Sequence, residues 1–304
     1  MLIDIHVHAS RVPGPPRPDG SRYPTPAELL PHMDEAGIDR AVLLSSASPE
    51  CKRHYVPPQD VLEMCAAHPD RFIPFANLDP RMVGNSPDSD FAPLLQYYRE
   101  AGCKGIGEYC PNLPLDDPLN MNLFRQVEQA GLPLTFHLAP EVGGHYGCFD
   151  EVGLPRLERV LEAFPHLTLL GHSQPFWAEI SRDVTRENRN TYPGGPVEPG
   201  RVVQLMRRYP NLRGDLSAGS GHNAISRDPE FGRRFLEEFQ DRLYFGTDVT
   251  HVPQDTPIVG YFRELKQQGR ISESAYEKIT WRNAAGLLGL ELEGTESASL
   301  QADR

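Results

Sequence analysis

Eight short apolar segments that alternate with segments of helical periodicity predict an α/β fold of the (β/α)8 TIM barrel class. Alternating strands and helices imply parallel strands joined by right-handed crossovers, and nearly continuous apolar strands indicate a sheet whose outer face is covered. No composition shift or linker divides the 304 residues. We therefore expect a single-domain barrel at residues 1–290 and a polar C-terminal tail at residues 291–304.

The predicted strands are LIDIHV, RAVLLSS, RFIPFANL, CKGIGEY, LPLTFHLA, LTLLGHS, LRGDLSA and RLYFGTD. Most are rich in branched or aromatic residues, as buried strands are. An open, doubly wound sheet is the competing arrangement. That fold more often carries a glycine-rich phosphate turn after its first strand, and the segment VHASRVPG lacks the G-x-G-x-x-G spacing.

The helical segments between these strands carry start and stop signals. In TPAELLPHMDEAG, Thr25 has the position of an N-cap and Pro26 the first helical position. The other segments include VLEMCAAHP, FAPLLQYYREAG, NLFRQVEQAG and LPRLERVLEAFP. Several of them end at glycine or just before proline, as helices commonly do.

Two connections are longer than an ordinary loop between a strand and a helix. They are residues 9–25 after the first strand and residues 173–199 after the sixth, and the second is polar and turn-rich. Because loops that follow barrel strands surround the active-site face, both are candidates for a lid or a specificity element. Plain insertions without a function are the alternative.

Charge and composition exclude several classes of function. The formal net charge is −12 with a pI near 5.4, which argues against binding to nucleic-acid phosphates or to an anionic membrane. No apolar run is long enough for a membrane span, and the N-terminus lacks a signal-peptide pattern. The five cysteines form no C-x-x-C motif, so we expect reduced thiols and a cytoplasmic protein.

Metal-binding residue types end several of the predicted strands. These are His6 and His8 at the first strand, Glu108 at the fourth, His137 at the fifth, His172 at the sixth and Asp248 at the eighth. Parallel strands bring their carboxyl ends to one rim, and residues two apart on a strand point to the same face. Imidazoles and carboxylates suit Zn²⁺, Mn²⁺ or Fe²⁺. A lone histidine at a strand end is usually structural, but the ordered set predicts a divalent metal site.

The same pattern resembles the amidohydrolase superfamily, most closely its amidohydrolase-related branch that includes aminocarboxymuconate semialdehyde decarboxylase. The segments that carry the resemblance are DIHVH, HPDRFIPFANLDP, LTFHLA, LLGHSQP, GTD and ITWRNAAGLLGL, which extend from Leu2 to about Leu290. The ordered set is specific, whereas a single H-x-H is not.

The resemblance implies that His6, His8, His137 and Asp248 bind a divalent metal, with zinc as the first choice, and that His172 lies beside them as a further ligand or an acid–base residue. Glu108 marks where the branches differ. Decarboxylases commonly have no metal-binding carboxylate at the fourth strand, whereas other branches use one to bridge two metals. KGIGEY also resembles the corresponding segment of TatD-type nucleases, so one or two ions per chain remain open, with Glu108 a ligand or a residue that orients a histidine.

A metal-dependent hydrolase is the leading prediction of function. It would use metal-bound hydroxide on an ester, lactone or amide of a small molecule, with Asp248 as general base and His172 assisting. A non-oxidative decarboxylase or hydratase is the alternative, and it needs groups that hold a carboxylate. A metal-assisted phosphodiesterase ranks lower because of the acidic net charge of the chain. A binding or structural protein on a degenerate barrel is also disfavoured, because such a protein would be expected to have lost a metal ligand, and none of the six is missing.

Four residues are candidates for contact with the substrate. Arg53 and His54 follow the second strand, and His251 lies just past Asp248, all in loops on the active-site face. Trp177, shortly after His172, could form an apolar wall. For each, an ordinary loop or packing role is the alternative. The sequence leaves open whether the chain forms homo-oligomers.

Overall fold

The computed structural model describes residues 1–291 of the chain. Its strands are β1 (Ile3–Val7), β2 (Arg40–Leu44), β3 (Phe72–Phe75), β4 (Ile106–Tyr109), β5 (Leu134–Ala139), β6 (Cys148–Phe149), β7 (Leu169–His172), β8 (Leu212–Asp215) and β9 (Leu243–Tyr244). The sixth, seventh and eighth predicted strands correspond to β7, β8 and β9. The additional two-residue β6 pairs with the carboxyl end of β5.

Helices follow the strands through the chain. They are α1 (Pro26–Ala36), α2 (Pro58–Ala67), α3 (Ala92–Glu100), α4 (Pro118–Ala130), α5 (Pro155–Ala163), α6 (Gln174–Ala178), α7 (Arg201–Arg208), α8 (Ala218–Ser226), α9 (Pro229–Glu238), α10 (Pro257–Gln267), α11 (Glu273–Glu277) and α12 (Asn283–Leu288). A π-helical turn, Lys278–Arg282, joins the last two. Within residues 1–291, none of these helices combines the length and apolarity that a membrane crossing requires.

Eight of the strands form the predicted barrel. Parallel pairing runs β1-β2-β3 and β4-β5-β7-β8-β9. A bridge between Ala76 and Ile106 connects β3 to β4. The other junction is made by a bridge between Val7 and Val249 and by the bond from Ile5 N–H to the Phe245 carbonyl. The (β/α)8 prediction is therefore confirmed.

β1 is buried along its whole length, although not all of its side chains are apolar. Ile3 and Ile5 belong to an apolar cluster that also includes residues of β2, β3, β7, β9 and α12. Asp4 and His6 are fully buried as well, and a shift in the pairing register between Asp4 and Val7 interrupts the strict alternation of faces. A short polar segment is thus enclosed at this end of β1, and it requires partners for its polar atoms.

Helix α1 begins and ends as its sequence predicts. The backbone N–H and the hydroxyl of Thr25 donate to the Glu28 carboxylate, at 2.8 and 2.9 Å. Gly37 adopts the left-handed conformation, φ 65°, that ends a helix without steric cost to a glycine. The loop at residues 9–25 therefore has a fixed end at the start of α1.

The last barrel strand is shorter than predicted. Predicted strand RLYFGTD extends to Asp248, whereas β9 ends at Tyr244. The Thr247 backbone N–H donates to Asp4, and Asp248 N–H donates to the His6 carbonyl, so the chain turns toward β1 before Asp248. The predicted tail at residues 291–304 lies, apart from Glu291, outside the described residues.

Candidate metal centre

Five of the six predicted ligand residues lie on or directly after β1, β4, β5 and β7, and Asp248 follows β9, so the barrel gathers all six at one end. Three of them form a first group, defined here as His6, His8 and Asp248. The Nε2 atoms of His6 and His8 are 3.2 Å apart. Asp248 Oδ1 lies 3.5 Å from each of them.

These distances match the spacing of ligand atoms around a small divalent ion. A tetrahedral ion with ligands at about 2.1 Å holds its ligand atoms roughly 3.4 Å apart. The three edges of the first group have that length, and Glu108 Oε2 lies 3.4 Å from His8 Nε2 as a further neighbour. Two imidazole nitrogens and carboxylate oxygens are also the donor types that zinc, manganese and iron accept. The residues present therefore fit such an ion.

A second group consists of Glu108, His137 and His172. Glu108 Oε1 lies 2.7 Å from His137 Nδ1 and 3.9 Å from His172 Nε2. Burial opposes the charge on Glu108, but the adjacent His137 outweighs it and holds the pKa of the carboxyl well below its usual range. Glu108 is thus a buried carboxylate with one oxygen toward each group.

Asp215, which ends β8, supports both groups and was not among the predicted residues. Its Oδ2 atom is 2.6 Å from His6 Nδ1 and 3.6 Å from His172 Nδ1. The Ser217 hydroxyl lies 2.9 Å from the same His172 nitrogen. When His6 donates its Nδ1 proton to Asp215, the lone pair of Nε2 points at the first group, as a metal ligand requires.

Asp248 is held in place by β1, the neighbouring strand at the point where the barrel closes. Asp4 accepts from the backbone N–H and the hydroxyl of Thr247, and Asp248 itself has φ 53°. A non-glycine residue in the left-handed region carries a conformational cost, which the bonds on either side offset. The Asp248 side chain is 22 % exposed, while the His6 side chain is fully buried, so Asp248 is the more accessible of the two.

Burial and neighbouring charges give the imidazoles of the centre different protonation states. Burial lowers the pKa of His8 to about 4 and that of His172 to about 3, so both are neutral at pH 7. Burial also opposes a charge on His6, but Asp215 and Asp248 outweigh it and raise the pKa of His6 to about 10. Burial raises the pKa of Asp248 to about 7, against the effect of His6. Perturbed groups concentrated in one place are typical of a reactive site.

A cavity of about 380 Å³ opens above the first group. Its lining includes His8, Glu108 and Asp248 from the candidate centre and eight residues of the long first loop between Gly14 and Tyr23. That loop packs closely on its neighbour, because a Cβ atom at Gly14 would lie 2.8 Å from the His54 ring. The volume suits a small molecule.

Three of the four predicted substrate-contact residues line this cavity: Arg53, His54 and His251. The structure corrects the fourth. Trp177 is 2 % exposed, packs against Phe176 and Phe235, and donates its indole N–H to the Asp215 carbonyl at 2.8 Å. It lies behind the centre rather than on the cavity wall, because α6 turns the side chain into the core.

Sequence reasoning missed four further residues around the centre. Asp215 lies within the seventh predicted strand, LRGDLSA, and ends the observed strand β8, so the strand-end rule that selected the others also applies to it. Lys52 directly precedes Arg53 and lines the same cavity. Tyr23 stacks on His8 with ring centroids 5.5 Å apart, and the ring centroids of Tyr146 and His137 are 4.5 Å apart. Both tyrosines lie in loops, whose sequences gave no sign of these contacts.

The structure is thus a parallel barrel whose strands carry buried imidazoles and carboxylates at their carboxyl ends. These side chains form a candidate metal site. The amidohydrolase family model matches residues 3–290, so the chain belongs to the amidohydrolase family. This confirms the resemblance drawn from the sequence and identifies an enzyme of the amidohydrolase superfamily. A comparison of the sequence with curated proteins finds no match.

Solved structures share the fold at low sequence identity. An uncharacterized TIM-barrel protein from Bordetella bronchiseptica is 20 % identical, with a TM-score of 0.65 over 95 % of this chain and 98 % of the other. A 5-carboxyvanillate decarboxylase from Sphingomonas paucimobilis is 18 % identical, with 0.59 over 95 % and 99 %. A probable 2-pyrone-4,6-dicarboxylic acid hydrolase from Acinetobacter baumannii is 14 % identical, with 0.57 over 95 % and 99 %. At these identities the likeness is one of fold alone.

Proposed function

We propose that the chain is a metal-dependent hydrolase that cleaves an ester, lactone or amide bond of a small molecule. The observation that carries this proposal is the way two carboxylates divide their oxygens between the two groups. Asp248 has Oδ1 beside the first group and Oδ2 3.8 Å from His172 Nε2. Glu108 has Oε2 beside His8 and Oε1 beside the second group. Carboxylates shared in this way are suited to hold two ions, as in many hydrolytic sites.

When bound, such ions would polarise the carbonyl oxygen of the substrate and lower the pKa of an attacking water. Asp248 lines the cavity and can take the proton of that water as the water oxygen bonds to the carbonyl carbon. The bond from that carbon to the leaving oxygen or nitrogen then breaks, and the proton passes to the leaving atom. His172 Nε2 lies 3.8 Å from Asp248 Oδ2, a separation that one bridging water would span for exchange of this proton.

Zinc is the ion we propose first. The six side chains offer four imidazoles and two carboxylates, a set that suits Zn²⁺ and also accepts Mn²⁺ or Fe²⁺. The neutral state of His8 and His172 at pH 7 favours ligation, because only an uncharged imidazole nitrogen has a lone pair to offer.

A non-oxidative decarboxylase is the second candidate, and one observation favours it. Lys52 and Arg53 line the cavity, and neither forms an ion pair with another residue of the described part of the chain. Cations in this position would hold a substrate carboxylate. Two of the similar solved structures have names that describe reactions of carboxylated compounds, one a decarboxylation and one a hydrolysis.

An isotope experiment separates the two reactions. The zinc-loaded chain is incubated in ¹⁸O-enriched water with 2-pyrone-4,6-dicarboxylate, dihydrocoumarin and phenyl acetate, and separately with 5-carboxyvanillate labelled with ¹³C in its carboxyl groups. Hydrolysis places ¹⁸O in the product acid and releases no labelled CO₂. We expect this result for at least one ester or lactone.

The Asp248→Asn variant should lose that turnover, while Asp255→Asn, an exposed neighbour in the same loop, should retain it. Labelled CO₂ without any ¹⁸O-labelled acid would overturn the hydrolase proposal in favour of the decarboxylase.

A further inference from the structure

Lys52 is a half-buried cation with no hydrogen-bond acceptor for its ammonium group among residues 1–291. It lies in the loop between β2 and α2, and its Nζ atom lies 5.2 Å from the centroid of the Tyr146 ring. The same cavity surface includes Glu108 and Asp248, whose charges act on Lys52. Burial disfavours the ammonium, but the surrounding acidic groups outweigh burial and raise its pKa, so Lys52 is charged at neutral pH.

The loop that carries Lys52 is fixed at both ends. Ser46 N–H donates to the Val56 carbonyl at 2.8 Å, and Val56 N–H donates to the Ser46 hydroxyl at 2.9 Å. Arg81 also binds Glu50 at 2.6 Å, two residues before Lys52. A cation on a loop held in this way is positioned before a ligand arrives, which lowers the cost of binding.

The other cations around the cavity are less suited to bind an anion. Arg17 donates to the Thr250 carbonyl and to the Ser21 hydroxyl, and Arg22 forms an ion pair with Glu28. Arg53 has no acidic partner among the described residues, but its side chain is exposed to solvent, where a charge contact is weak. Lys52 is therefore the unpaired cation in the least hydrated position.

Aromatic rings flank this position. Tyr23 stacks on His8 and Tyr146 packs on His137, and both rings line the cavity that contains Lys52. Aromatic faces favour contact with flat, unsaturated groups. A ligand between them and beside Lys52 would combine an unsaturated or ring portion with a negative charge.

We propose that Lys52 determines specificity by binding a carboxylate of the substrate, and that the unsaturated part of that substrate packs against Tyr23 and Tyr146. The inference rests on the proposed function, because it assigns a substrate class to the same site. The substrate is thus a small unsaturated or aromatic carboxylic acid with the reactive bond facing Asp248. Lys52 touches the substrate but takes no proton from it.

Binding of benzoate, with benzamide as the uncharged match, tests this proposal without any need for turnover. Dissociation constants are measured by ligand-observed NMR on the zinc-loaded chain and on Lys52→Met, Lys52→Arg and Lys104→Met. Lys52→Met should weaken benzoate at least tenfold and leave benzamide unchanged. Lys52→Arg should restore most of the benzoate affinity, and Lys104→Met, at an exposed lysine outside the cavity, should leave it unchanged.

Zinc content and the thermal midpoint are measured on the same samples, so that a loss of the centre or of the fold is recognised separately. Failure of the hydrolase proposal would appear in the isotope experiment and would leave this binding result intact. Equal binding of benzoate and benzamide by the wild-type chain would overturn the assignment of Lys52. An unchanged benzoate affinity in a folded, zinc-containing Lys52→Met protein would also overturn it.

Discussion

The two groups of the candidate centre contain the same kinds of side chain but differ in how closely their ligand atoms already contact one another. In the first group, the His6 and His8 nitrogens and the Asp248 oxygen lie 3.2 to 3.5 Å apart and face one another. In the second group, Glu108 and His137 are already joined at 2.7 Å. An ion in the second group must therefore replace this short bond, whereas an ion in the first group displaces only the longer, 3.2 Å contact between the two imidazole nitrogens.

Because of this difference, we expect the two positions to bind a metal ion with unequal affinity. The first group also has Asp215 behind His6, which fixes the imidazole tautomer, while the nearest contact of His172 is the Ser217 hydroxyl. We expect the first position to fill at lower metal concentration than the second.

The largest expected effect is on catalysis at the first group. Asp248→Asn removes the proposed proton acceptor, and loss of a general base commonly costs about 10² to 10⁴ in rate. We expect kcat on the substrate found by the isotope experiment to fall about 10³-fold. Asp255→Asn serves as the control. Retention of more than a tenth of the rate would exclude Asp248 as the base.

Metal affinity should depend on the residue behind the first group. Asp215→Asn leaves the shape of the side chain but weakens its hold on the His6 Nδ1 proton, and such changes typically cost about 10- to 100-fold in metal affinity. Competition with a chromophoric chelator measures the zinc affinity of the variant and of Asp241→Asn, an exposed control. Unchanged affinity in Asp215→Asn would mean that His6 is oriented by packing alone.

Proton release should accompany metal binding. Before an ion binds, the raised pKa of about 10 keeps His6 protonated at pH 8, and ligation requires that proton to leave Nε2. Apparent zinc affinity should therefore rise by up to about tenfold per pH unit from pH 7.5 to 9.5, and fall as the pH is lowered. Calorimetry at pH 8 in two buffers of different ionisation enthalpy should show about one proton released. No release would contradict the role given to His6.

The smallest effect concerns Trp177. Trp177→Phe removes the hydrogen bond to the buried Asp215 carbonyl, which should lower the free energy of unfolding by about 1 to 3 kcal/mol. KM should stay within about twofold, since Trp177 does not reach the cavity. Urea unfolding and steady-state kinetics provide the two values. A raised KM with unchanged stability would return Trp177 to the cavity wall.

Strand periodicity was enough to predict the barrel and the six residues of the two groups, because parallel strands bring their ends together whatever their loops do. The same rule could have found Asp215. It could not find Lys52, Tyr23 or Tyr146, whose positions depend on how loops pack, nor the inward turn of Trp177 in a helix of five residues. The long loop at residues 9–25 was recognised, but only the structure shows that it lines the cavity.

Metal analysis of the wild-type chain and of Glu108→Gln, by inductively coupled plasma mass spectrometry after zinc loading, tests the central claim most directly. The claim is that Glu108 and Asp248 join two ion positions. It predicts close to two zinc ions per chain in the wild type and close to one in Glu108→Gln, with the first group still occupied. One ion in both proteins would contradict it and reduce Glu108 to a residue that orients His137.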